Sequence, residues 1–248
     1  MAKTPIWRHI EQALTKDIAS GHYGPGDKLP TEAELSQRFG VNRHTVRRAL
    51  AAMAEDGMVR SRRGAGVFVA SRPTEYPIGR RTRYHQNLMA AGRLPTREIL
   101  TLTSRTCDQR EAEALALPPG SLVQVYETLS FADGHPLCLG RSVFPGARFA
   151  NILRHFEEDP SVTNALRKCG VTDYFRHSTR LAAKAATAVQ ALHLRIREGA
   201  PLLRSISINV DAENQPVEYG HTWFVGERVT LTVDRDDAQT AQPAEQSA

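Results

Sequence analysis

The sequence predicts an α+β protein in two parts, a small helical head carrying a hairpin and a larger domain built around an antiparallel sheet. Three observations predict it. Residues 31–69 hold two capped, apolar-striped segments joined at Gly40 and followed by an arginine-rich hairpin pattern. Residues 96–233 hold β-rich runs joined by turn clusters, with short helical patterns between them. Charge divides the same way: residues 1–72 carry 12 Lys plus Arg against 7 Asp plus Glu, while 73–248 carry 20 of each, so the formal charge of +5 sits in the first part. A basic head on a neutral body is expected where only the head meets a polyanion, and 248 residues suffice for each part to own a core.

The head begins with a helix over about Pro5 to Ser20, because Ile6, Ile10, Ala13, Leu14 and Ile18 form a stripe at helical spacing. Gly21 ends it, and Gly21–Pro30, with three Gly and two Pro, reads as a loop. Trp7 and Tyr23 are assigned to packing, the usual fate of aromatics in so small a domain. Thr31 with Glu34 three residues on is a capping box, so a second helix starts at Thr31, keeps Leu35 and Phe39 on one face and stops at Gly40. Asn42 caps a third helix whose buried stripe is Val46, Ala49, Leu50 and Met53. That stripe turns Arg43, His44, Arg47 and Arg48 outward, beside the positive end of the helix dipole. Such a face suits the DNA major groove, where Arg forks onto guanine and Asn onto adenine. Arg60, Arg62 and Arg63 lead into Gly64-Ala65-Gly66 and Val67-Phe68-Val69, a hairpin with a cationic tip. The whole is a winged helix-turn-helix.

Residues 71–79, with two Pro and a Gly, read as a connector. A helix is expected over Arg80 to Gly92, with Tyr84, Leu88 and Ala91 on one face. Strands follow at 96–106, 121–132, 136–144, 171–183, 202–210, 216–224 and 228–233, and helices at about 108–116, 147–155, 161–168 and 187–193. Residues 132–135 and 211–215 are turn clusters that make hairpins of their flanking strands. Arg235 to Ala248 has the composition of a disordered tail.

Several classes are set aside. No apolar run is long enough for a bilayer, and the start MAKTPIWRHI lacks a secretory core, so a cytoplasmic protein without membrane contact is expected. Cys107, Cys138 and Cys169 are odd in number and far apart, and no His has another His three or four residues away. The cysteines are therefore read as reduced and structural, with no metal site. No nucleophile elbow, carboxylate pair or metal cluster stands at a diagnostic spacing, so neither catalytic residues nor a cofactor are expected.

At Leu29-Pro30-Thr31-Glu32, Gly40-Val41-Asn42-Arg43, Thr45-Val46-Arg47 and Arg63-Gly64-Ala65-Gly66 the chain resembles the GntR family of bacterial transcription regulators, over about residues 5–70. The resemblance implies that Asn42, Arg43, His44, Arg47, Arg63 and Gly64 touch operator DNA; Thr31, Thr45, Arg48 and Arg62 complete the candidate set. Ala33 stands where some relatives carry Arg, which removes one possible contact.

The remainder resembles the UTRA sensing module of the HutC subfamily, a chorismate-lyase-like α+β fold. Its marks are Thr82-Arg83-Tyr84, Ala116–Gly120, Ala132-Asp133-Gly134 with Pro136, Arg141-Ser142 with Pro145, Pro201-Leu202-Leu203 and Pro216-Val217-Glu218-Tyr219. The layout implied is a DNA-binding head at 1–70, a linker at 71–79, an effector-binding and dimerisation domain at 80–234 and a tail at 235–248. The implied function is a homodimeric regulator, a repressor, on a palindromic operator under control of a small effector. Within the subfamily the chain is similar to regulators of phosphonate utilisation, through Asn42-Arg43-His44-Thr45, Tyr76-Pro77, Arg83-Tyr84, Gln86-Asn87-Leu88 and Leu137-Cys138-Leu139. A phosphonate or phosphate-like anion would then be the effector, and Arg forks and hydroxyls its natural partners. The candidates are Arg83, Tyr84, Thr128, Ser130, Arg141, Ser142, Arg176, Ser178 and Glu218, the last as a hydrogen-bond acceptor. An amino-sugar phosphate or urocanate-like acid is the alternative effector; against the former, Thr128 and Ser130 stand where amino-sugar-phosphate sensors carry two Arg. An enzyme of the chorismate-lyase type is the alternative class.

Overall fold

The computed structural model describes residues 5–62, 64–70, 73–81 and 84–233. The chain divides into two compact units, Met1–Arg72 and Pro73–Ala248. The candidates Arg63 and Arg83 and the expected tail at 235–248 lie outside the described residues.

In the first unit, α1 (Ile6–Ala19) turns Ile10 and Leu14 into the core while Ile6 stays exposed at its start. Helix α2 (Glu32–Phe39) opens on the expected capping box: the Thr31 hydroxyl accepts from the Glu34 N–H, and the Glu34 carboxylate accepts from the Thr31 N–H. It closes at Gly40, whose φ of 64° is a left-handed conformation that favours glycine. Helix α3 (Arg43–Glu55) is capped by Asn42 and buries the four expected residues, Val46, Ala49, Leu50 and Met53. These join Ile10, Leu14, Leu29, Leu35, Val59 and Val69 in one core, with Trp7 and Tyr23 packed against it. Strands β1 (Val59–Arg62) and β2 (Gly66–Val69) form the antiparallel wing. The preceding loop adds to it, since the Leu29 N–H donates to the Val67 carbonyl and the Val69 N–H to the Asp27 carbonyl. The wing needs Gly66 for its φ of 115°, a conformation that L side chains rarely adopt.

The second unit holds a six-stranded, wholly antiparallel sheet in the order β4-β5-β6-β9-β8-β7. Its strands are β4 (Pro95–Thr106), β5 (Leu122–Ala132), β6 (His135–Pro145), β7 (Phe175–Ala185), β8 (Pro201–Val210) and β9 (Pro216–Val225). Alternation along each strand separates two apolar faces. One presents Val123, Val125, Val143 and Tyr219 to α5 (Gln109–Leu115), and Leu129, Phe131 and Val225 to α8 (Ala188–Leu194). The other presents Tyr126 and Phe144 to α6 (Ile152–Glu158) and α7 (Val162–Lys168), and Cys138 and Phe224 to α4 (Tyr84–Ala90). The Tyr126 and Phe156 rings stack at 3.9 Å and fix that second layer.

Four expectations shift. The helix expected over Arg80 to Gly92 is the shorter α4, with Arg80 and Arg81 in a turn before it. Residues 71–79 are not merely a connector: Thr74–Pro77 is a strand, β3, paired in parallel with β10 (Val229–Thr232), and it buries Thr74 and Tyr76. The helix expected at 147–155 is α6, five residues later at its start, because residues 146–148 are a turn closed by the Phe149 N–H on the Pro145 carbonyl. The strand expected from 171 begins only at Phe175, since Val171 and Tyr174 pack into the core under α7 first.

Candidate nucleic-acid interface and ligand cavity

The outward side of α3 is set by its cap and its buried stripe. Asn42 Oδ1 accepts from both the N–H and the hydroxyl of Thr45, each at 2.9 Å, so that oxygen and the Thr45 hydroxyl are spent on capping. Asn42, Arg43, His44, Arg47 and Arg48 are exposed. The side chains of Arg43 and His44 make no hydrogen bond or ion pair with the described residues. Arg47 is held: its Nε donates to Glu32 Oε1 at 3.0 Å and its Nη2 to Oε2 at 2.7 Å. The guanidinium draws the Glu32 carboxyl below its ordinary pKa, and 62% of the Arg47 side chain remains in solvent. Arg48 lies over the Trp7 ring at 5.0 Å and Arg62 over the Phe68 ring at 4.6 Å, planar contacts that orient both heads. Gly64, with φ of 75°, sits in the wing turn. Thr31 is the least available candidate, because its N–H and hydroxyl both donate to Glu34 Oε2 at 2.7 Å. Glu32 and Lys28 were not singled out from sequence; a carboxylate beside a recognition face reveals its role only when its partner is seen.

The second feature is a cavity of about 760 Å³ on the sheet face, lined also by β3, α4, the loop at 159–161 and α7. Of the effector candidates, Tyr84, Thr128, Ser130, Ser142, Arg176 and Glu218 line it. Two candidates lie elsewhere. Arg141 neighbours Ser142 on β6 and so points to the opposite face, where its Nε stands 3.1 Å from the cross-strand Glu127. Ser178 would share a face with Arg176 in a regular strand, but a bulge between them pairs Arg176 with Asn209 and Ser178 with Ile208, sending Ser178 to the far side.

The residue that sequence missed most plainly is Arg97. It lies directly across from Ser130, donates to the Ser130 hydroxyl at 3.3 Å and to the Pro160 carbonyl at 2.8 Å, and stacks over the Tyr84 ring at 4.9 Å. Arg176 is buried at its Nε, which has no hydrogen-bond partner among the described residues. Both arginines are close enough to the buried Tyr76 to oppose the rise that burial imposes on its hydroxyl pKa. Gly140 and Gly220 leave the floor bare: a Cβ at either would meet Thr128 Oγ1 at 2.9 Å or Ser207 Oγ at 2.8 Å. Cys138 is free and enclosed in the wall, and burial pushes its thiol up to about 12, so it is inert near neutral pH. Among the described residues no group of His, Cys, Asp and Glu is arranged to hold a metal, and no helix is long and apolar enough to cross a membrane.

Comparison with known proteins now bears on both features. The model of the bacterial regulatory proteins, gntR family, matches residues 7–69, and that of the UTRA domain matches residues 90–230. An HTH-type transcriptional regulator of Rhizobium meliloti is 38% identical over 230 residues, covering 92% of this chain and 94% of its own. The chain belongs to the GntR family. Within the family it has the HutC-type arrangement of a GntR head and a UTRA domain. A second relative, named "Probable transcriptional regulator PhnF", from Escherichia coli, is 35% identical over 92% of this chain and 94% of its own. The crystal structure of PhnF from Mycobacterium smegmatis shares the fold, with a TM-score of 0.63 at 24% identity over 91% of this chain and 98% of that one. This GntR chain is thus a DNA-binding transcriptional regulator and not an enzyme.

Proposed function

We propose that this chain is a cytoplasmic repressor that binds a palindromic operator as a homodimer, and that a small oxyanion of phosphonate or phosphate metabolism controls it by occupying the UTRA cavity. Residues 1–70 are the reading head and 80–234 the sensing and dimerisation domain. Asn42, Arg43, His44 and Arg47 read base edges in the major groove, while Arg48 and the wing at Arg62, Arg63 and Gly64 hold phosphates. Two heads related by a two-fold axis face half-sites about one helical turn, ~34 Å, apart.

The observation that carries the sensing part is Arg97. A guanidinium fixed on three sides against a cavity wall has lost its freedom before any ligand arrives, so an anion meets a preorganised fork. Occupancy reaches the head through sequence: Tyr76 is a cavity wall and lies on β3, the first element after Arg72. A ligand that prefers one placement of β3 shifts operator affinity by that preference and no more. The test is a gel shift on the promoter region of the protein's own gene, with and without methylphosphonate, phosphate and sulfate. Release by one of these and not by the others supports the reading; operator binding indifferent to all three overturns the effector class.

A further inference from the structure

Three carboxylates are buried among the described residues of the second unit, and two of them have a guanidinium. Glu111 is matched by Arg105 at 2.6 Å and Asp211 by Arg148 at 2.6 Å. The third, Glu218, is 8% exposed and has neutral partners only: Oε1 accepts from the Ser142 hydroxyl at 2.5 Å and Oε2 from the Asn209 amide at 2.6 Å. No Lys, Arg or His among the described residues stands within ion-pair distance of it. A buried charge ordinarily finds a partner or costs several kcal/mol, and hydrogen bonds from neutral groups compensate it only in part. Glu218 nonetheless faces the cavity.

The cavity is therefore bipolar. Arg176, Asn209 and Glu218 are successive members of one cross-strand row, which puts the Arg176 and Glu218 backbones two strand spacings, about 10 Å, apart. Arg97 adds a second guanidinium from β4. A plain dianion would satisfy the arginines and leave Glu218 facing a like charge. A molecule with both charges satisfies each wall.

We infer that the effector is a short zwitterion, an oxyanion head joined through a few carbons to a protonated amine that rests on Glu218. This deepens, and rests on, the anionic-effector reading above. The experiment is isothermal titration of the full chain with 2-aminoethylphosphonate, 2-hydroxyethylphosphonate and ethylphosphonate, the second matching the first in size and the third lacking its terminal group, both without its positive charge. The aminoethyl compound is expected to bind about tenfold or more tightly than either, and Glu218→Gln to reduce that preference to about twofold or less, with ethylphosphonate bound more tightly than by the wild-type chain because the like charge is gone. Equal affinity for all three compounds in the wild-type chain overturns the zwitterion and leaves the anion reading standing. Failure of all three to bind overturns the anion reading and this inference with it. If Glu218→Gln does not fold, the three-ligand comparison on the wild-type chain decides the matter alone.

Discussion

Arg47 on α3 and Glu32 on α2 form a two-pronged ion pair, with Nη2 to Oε2 at 2.7 Å and Nε to Oε1 at 3.0 Å, on the surface that the head turns toward solvent. An exposed pair adds little to stability. Its effect is on direction: a long, rotamer-rich side chain is held across the two helices of the motif. The carboxylate also places a negative charge on the surface proposed to face DNA. Glu32→Gln should therefore tighten binding to random duplex and lower the ratio of operator to random affinity, with the melting temperature nearly unchanged. Anisotropy titrations on the two duplexes measure this; a higher ratio would reverse the assignment.

The arginines of α3 should separate by role. Arg47→Ala should relax specificity and cost roughly tenfold or more in operator affinity, as loss of a base-reading fork does. Arg48→Gln should weaken operator and random duplex alike and lower the slope of log affinity against log salt by about one, as loss of a phosphate contact does. Salt titrations of both variants check the split, and identical slopes for wild type and Arg48→Gln would contradict it.

Asn42 has two tasks, and they can be parted. Asn42→Ala removes the cap accepted from Thr45 and should destabilise the head by about 1 kcal/mol. Asn42→Asp keeps the cap but replaces the amide by a second acceptor. Thermal melts should show the first variant weakened and the second not, while operator binding falls in both. Normal operator binding by Asn42→Asp would remove the amide from the reading set.

Acid should test the second unit. Arg105 holds the Glu111 carboxyl below its ordinary pKa of 4.5, chiefly by its hydrogen bonds against the cost of burial. A carboxyl lowered on folding contributes its stability in full above that ordinary value and loses it as pH falls through the lowered one. The chain should thus lose stability below about pH 4.5. Glu111→Gln should flatten that fall and cost ~1–3 kcal/mol near neutrality, because Arg105 is left in a half-buried site without its partner. Denaturant titrations at pH 7 and pH 4 measure both; equal acid sensitivity in the two proteins would exclude the pair as its source.

What could be read in advance follows from how local its causes are. The Thr31 box, the Gly40 stop and the Asn42 cap are contacts over three residues or fewer, so the head was legible almost residue by residue. Strand β3 was not, because its partner β10 lies some 150 residues away and Pro73 and Pro77 look like linker chemistry. Thr128 and Ser130 were reached only through the resemblance to amino-sugar-phosphate sensors, and they line the cavity together because they stand two apart on β5. The cavity was illegible where the answer depended on register: Arg97 needs its pairing with Ser130, and Ser178 is turned away by one extra residue, His177, in β7.

Operator recognition by this chain requires that the exposed face of α3 distinguish one DNA sequence from others. Anisotropy of the full chain on a labelled fragment from upstream of its own gene, competed with random duplex at physiological salt, measures that directly. The account predicts a preference of about a thousandfold or more in wild type, reduced at least tenfold by Arg43→Ala with Arg47→Ala in a protein whose melt is unchanged. Equal affinity for both duplexes, or a preference that survives loss of both arginines, would contradict it.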